Sequence, residues 1–68
     1  MKSISGKELI RIIQRKGWVL RRVNGSHHIF THPLKKEILS VPVHKNEDLK
    51  IGLLRKLMSI ADVSENEL

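Results

Sequence analysis

The chain contains no cysteine. That excludes a disulfide framework, a thiolate nucleophile and any sulfur-ligated metal, and it suits a reducing cytoplasm. Aromatic residues are almost absent too: Trp18 and Phe30 are the only two, and there is no tyrosine. Both are expected in the core, so base recognition on an aromatic stacking platform is not indicated. The longest stretch free of Asp, Glu, Lys and Arg runs from Val23 to Leu34 and holds three histidines, far short of the roughly 18 apolar residues of a membrane span. The N-terminus, with Lys2, Lys7 and Glu8 among small polar residues, lacks the apolar segment of a signal peptide. A soluble cytoplasmic protein with no membrane partner is the expectation. Length excludes still more. The 68 residues make one domain, 1–68, whose core rarely supplies more than roughly 3–5 kcal/mol, so neither a large substrate pocket nor a cofactor-binding domain fits. Any chemistry comes from a few surface residues without a cofactor.

What the sequence has instead is uneven charge. Residues 1–36 carry nine basic side chains and one acid, Glu8, for +8, whereas residues 37–68 carry four basic and six acidic side chains, for −2. A basic half joined to a mildly acidic half points to a polyanionic partner.

Ser5 followed by Glu8 three residues later is a capping box, and Leu9, Ile12 and Ile13 recur at helical spacing until Gly17 stops the pattern. Lys7, Arg11 and Arg15 then form one row, which an amphipathic helix needs as its solvated face whatever its function. From Trp18 the pattern becomes that of a strand, Trp18 to Val23. Asn24-Gly25 is a turn pair that sends the chain back as a second strand, His27 to His32. Pro33 ends that strand, Leu34-Lys35-Lys36 makes a short connection, and Ile38 to Val43 reads as a third strand with Pro42 confining it to an edge. A second helix is expected from about Leu49 to Ala61, with Leu53, Leu54, Leu57, Met58 and Ala61 on one wide stripe, and Ser64 with Glu67 caps a terminal turn. The fold class is α+β, in the order α-β-β-β-α: a three-stranded antiparallel sheet with two helices on one face and the other face open. That is the layout of a double-stranded-RNA-binding domain, which by itself says little about function.

All four histidines lie between positions 27 and 44. Three imidazoles satisfy zinc, but successive strand residues point to opposite faces, which separates His27 from His28 and His32, and no metal site is expected. One histidine acting alone is the better reading. RNA carries its own nucleophile, so its cleavage needs only a group to move the 2′-hydroxyl proton and positive charge to steady the phosphate. A half-buried, hydrogen-bonding histidine in a small sheet is the competing reading, and a non-catalytic RNA-binding module is the alternative function.

The segment Arg22-Val23-Asn24-Gly25-Ser26-His27-His28-Ile29-Phe30 resembles the signature of the HicA family of bacterial and archaeal toxins. Ser5-Gly6-Lys7-Glu8, the Gly17-Trp18 junction, Val41-Pro42-Val43-His44 and the segment from Leu49 to Ser64 resemble that family in order and spacing. The sequence departs from the family pattern at Leu53, where Thr is frequent, and at Asp62, where Gly is usual. The resemblance implies a toxin of a type II toxin-antitoxin pair: a metal-independent endoribonuclease that acts on single-stranded mRNA, blocks translation and is held inactive by a HicB-type antitoxin. It places the catalytic histidine at His27, with Arg22 for phosphate contact and Gly25 and Ser26 shaping the turn that brings His27 to the RNA. Lys35 and Lys36 are further candidates for gripping the backbone, in weak, salt-dependent binding.

Overall fold

A computed structural model describes residues 2–68. Helix α1 (Gly6–Arg15) begins as the Ser5/Glu8 spacing requires. The Glu8 amide donates to the Ser5 hydroxyl at 3.2 Å and the Ser5 amide donates to the Glu8 carboxylate at 3.2 Å, which satisfies two N–H groups that a helix start leaves without partners. Leu9 and Ile13 are fully buried, while Lys7, Arg11 and Arg15 are exposed, so the basic row is the solvated face. Gly17 has φ +97° and ends the helix; its amide donates to the Gln14 carbonyl and the Trp18 amide to the Ile13 carbonyl, each at 3.1 Å. This paired closure drops the chain into a left-handed residue that glycine tolerates, and turns Trp18 into the core.

Strands β1 (Val19–Asn24), β2 (His27–His32) and β3 (Lys35–Pro42) form one antiparallel meander in sequence order. Helix α2 (Ile51–Ala61) and a 3₁₀ turn (Glu65–Glu67) complete the chain. The α-β-β-β-α architecture is the one expected from the sequence pattern. Phe30, Leu39 and Val41 point to the helices and join Leu9, Ile13, Trp18, Leu54, Leu57 and Met58 in one core. Both helices lie against β3, and every residue of β1 is exposed. Among the described residues no helix is long and apolar enough to cross a membrane.

Strand β1 starts one residue later and β3 ends one residue earlier than the sequence pattern, and three further boundaries differ, each for a local reason. Asn24 pairs with His27, so the two turn residues are Gly25 and Ser26 rather than Asn24 and Gly25. Lys35 and Lys36 are not a connection: β3 begins at Lys35, opposite His32. The turn there is Pro33-Leu34, closed early because the Leu34 amide donates to His32 Nδ1 at 3.0 Å. Helix α2 starts at Ile51 rather than Leu49, because the Leu49 amide donates to the Ile4 carbonyl at 2.8 Å and Asp48 bridges Ser5, which holds that segment extended.

Candidate active site

The turn between β1 and β2 is a two-residue loop with positive φ only at its first position, Gly25, at 58°. That is the requirement of a type II′ hairpin turn, which glycine meets without strain and which matches the twist of the flanking strands. The loop is anchored as well as tight. The Val43 amide donates to the Ser26 carbonyl at 2.8 Å, tying the turn to the end of β3. His27, the first residue after the loop, is therefore an exposed side chain on a fixed backbone.

Cross-strand partners share a face, and the register places His27 with Asn24 and Pro42, and Ile29 with Arg22 and Ser40. His27, Arg22 and Ser40 therefore stand together on the face opposite the core. The Ser40 hydroxyl lies 3.4 Å from His27 Nδ1, at the long limit of a hydrogen bond. A bulge between Leu20 and Arg22 changes the composition of this face. It inserts Arg21, whose Nε donates to the Thr31 hydroxyl at 2.8 Å, so two consecutive arginines serve one face instead of alternating.

Beside His27 this face is not flat. Helix α2 flanks the β3 edge and walls a groove of about 300 Å³, lined by His27, Ile38, Ser40, Pro42, Leu53, Lys56, Leu57 and Ile60. The α2 residues recur at i, i+3, i+4 and i+7, one flank of the helix. Ser40 and Lys56 were not marked by sequence reasoning. Ser40 becomes visible only through the β2–β3 register, and Lys56 only through the placement of α2.

The other candidates separate. Lys35 bonds the Asp62 carboxylate, and Lys16 pairs with Glu67 at 2.8 Å. The hydrogen bonds from these lysines hold the Asp62 and Glu67 carboxyls below the ordinary carboxylate range. Lys35 lies opposite His32, about 17 Å along the strand from His27 at the usual rise per residue, so the structure does not bring Lys35 and Lys36 to the His27 end. His28 is half-buried, with Nδ1 3.4 Å from the Ser26 carbonyl. His32 is a structural residue: Nδ1 accepts from Leu34, Nε2 lies 2.9 Å from the Lys16 carbonyl, and the ring meets Trp18 edge-on at 5.3 Å. Accepting at Nδ1 makes Nε2 the protonated nitrogen, the neutral tautomer. Among the described residues no three His, Asp or Glu side chains are grouped so as to hold a metal ion.

The site combines one exposed imidazole on a rigid turn, a hydroxyl at its Nδ1, two arginines on the same face and an apolar groove with one cation. The family model for the HicA toxin of bacterial toxin-antitoxin systems matches residues 6–63. No curated protein matches the chain.

Proposed function

The chain belongs to the HicA toxin family, and from that premise we propose that it is an endoribonuclease, an mRNA interferase that blocks translation with His27 as its general acid and base. The observation that carries the reading is the placement of His27: exposed, at the head of β2 behind an anchored turn, on the same face as Arg22. Ser40 faces Nδ1, which leaves Nε2 for the RNA. His27 takes the proton of a 2′-hydroxyl as that oxygen bonds to the adjacent phosphorus. The imidazolium then gives the proton to the departing 5′-oxygen as its bond to phosphorus breaks. The products are a 2′,3′-cyclic phosphate and a 5′-hydroxyl. Arg22 steadies the charge on the phosphate oxygens. Gly25 and Ser26 allow close backbone approach, and Lys36, exposed toward the far end of β3, adds positive charge there, while Lys35 is taken up by Asp62. No step uses a metal.

A toxin of this kind has an antitoxin partner. We assign it to the HicB type, and its role is to cover His27 and neutralise the basic face. The test is incubation of the purified, partner-free protein with single-stranded RNA in the presence of a chelator, followed by analysis of the new ends. The wild-type chain is expected to produce cyclic phosphate ends and growth arrest on induction, and a folded His27→Ala variant neither. Cleavage by that variant at the parent rate would refute the assignment. RNA binding without cleavage by the wild type would establish a non-catalytic binding module instead.

A further inference from the structure

The α2 flank that walls the groove is more apolar than its own packing requires. Leu54, Leu57, Met58 and Ala61 already meet the core, yet Leu53 and Ile60 continue the apolar surface outward, half-buried, into the groove with Ile38, which is 62% exposed. Lys56 is set into this surface between Leu53 and Ile60. It is exposed, and among the described residues it has no carboxylate partner, unlike Lys16 and Lys35. Beside low-dielectric walls a cation attracts an anion more strongly than it does on an open surface. An apolar trough with one unpaired cation and an imidazole at its mouth matches the chemistry of one nucleotide, with an apolar base and ribose edge beside a single negative phosphate. The trough has no aromatic ring, so the base is held by aliphatic contact, which is tolerant of base identity.

We propose that this groove is a nucleotide subsite of the RNA-cleaving centre, in which Lys56 neutralises the phosphate adjacent to the one attacked and Ile38, Leu53 and Ile60 hold the base. The inference rests on the RNA-cleaving reading of His27 and deepens it. It makes α2 part of the substrate site.

The experiment uses a fluorescein-labelled single-stranded oligoribonucleotide carrying 2′-fluoro groups, which has no attacking hydroxyl, and measures binding by anisotropy across a salt series. Each phosphate contact on a single strand contributes about 0.7 to the slope of log affinity against log salt. Lys56→Ala is expected to lower that slope by about 0.7 and to weaken binding about fivefold at 0.1 M salt, and Lys56→Arg to retain the slope. The control is Arg55→Ala. Arg55 is the neighbouring cation, but it lines a different depression with Met58, Ser59 and Glu65, and its loss is expected to leave the slope unchanged. An unchanged slope for Lys56→Ala, or equal losses for the two variants, overturns the proposal. Failure of the wild type to cleave ordinary RNA would remove the catalytic reading, and the slope comparison would still decide on Lys56. Conversely, His27-dependent cleavage with no slope change at Lys56 would remove the groove alone.

Discussion

Gly6 tests how rigidly the site is tied to the first helix. An alanine Cβ at this position would lie 2.2 Å from the Pro42 carbonyl oxygen and 3.2 Å from its carbon. Cβ contacts under 3.0 Å are essentially never seen, so α1 and the end of β3 must part by at least 0.8 Å, the difference between 3.0 and 2.2 Å. The obstacle is backbone, so no rotamer change relieves it. A gap of that size forfeits roughly a quarter to a half of the dispersion energy across the opened contact, and Leu9, fully buried one turn along α1, belongs to the same core as Leu39 and Val41 of β3. Forced overpacking of this kind costs about 1–3 kcal/mol. Alanine returns up to roughly 1 kcal/mol of helix propensity, for a net loss of about 1–2 kcal/mol. With a urea slope of about 1 kcal/mol per molar for so small a domain, the midpoint should fall by about 1–2 M. Gly52 provides the opposite case. A Cβ there meets nothing within 4 Å, and Gly52→Ala should raise the midpoint by about 0.5–1 M as unfolded-chain entropy is reduced. If urea melts shift both variants in the same direction, the steric reasoning is wrong. The movement also reaches the site, because Pro42 is the cross-strand partner of His27.

His32→Ala should destabilise by about 2–3 kcal/mol in urea melts, since it removes two hydrogen bonds and the edge contact with Trp18; a midpoint within error of wild type would contradict its structural role. At Gly25, a Cβ would meet nothing within 4 Å, so the cost of L-alanine is conformational alone, about 1–2 kcal/mol. D-alanine placed there by total synthesis should restore or exceed wild-type stability, and equal melts for the two stereoisomers would refute the turn assignment. Stability should also fall in acid. Hydrogen bonds from the Ser5 backbone, Lys35 and Lys16 hold Glu8, Asp62 and Glu67 respectively below their ordinary values, so the unfolded chain takes up protons first. The stabilisation is complete above the ordinary carboxylate range and is lost as pH falls through it toward the folded values. Thermal melts at pH 7 and pH 3 check this, and Glu8→Gln should show the shallower pH dependence.

The elements that were legible in the sequence are those determined by near neighbours. The Ser5/Glu8 box, the Gly17 stop and the Gly25 turn each concern groups within a few residues, and periodicity reported the Leu9/Ile13 stripe. The misplaced boundaries depend on distant partners. Leu49 is held extended by Ile4, and Lys35 is drawn into β3 within reach of Asp62. Side-chain direction was harder still. The bulge at Arg21 overrides the alternation on which a face assignment relies, and nothing in the local pattern from Val19 to Asn24 marks it. His27 was singled out through the family resemblance of its turn segment, Arg22 to Phe30, which is a local pattern. Its surroundings could not be, because Ser40 and Lys56 reach it only through strand register and helix placement.

The charge asymmetry likewise changes meaning when partners are known. The N-terminal excess of +8 is not all available to a polyanion, since Lys16 and Lys35 are paired with Glu67 and Asp62. Those two acids lie in the half with net −2, so part of that half's negative charge clamps the α1 end and the β2–β3 turn to the chain's last residues. The pairing leaves Arg21 and Arg22 on the open face, and at the far end of the sheet it neutralises Lys16 and Lys35 while leaving Lys36 exposed. On the proposed RNA-cleaving function, that arrangement weights attraction toward the His27 end, where the proton transfer would take place, rather than toward a surface on which RNA would bind without reacting. The C-terminal half is therefore more than scaffold. Its acids direct the field, and its helix supplies one wall of the groove.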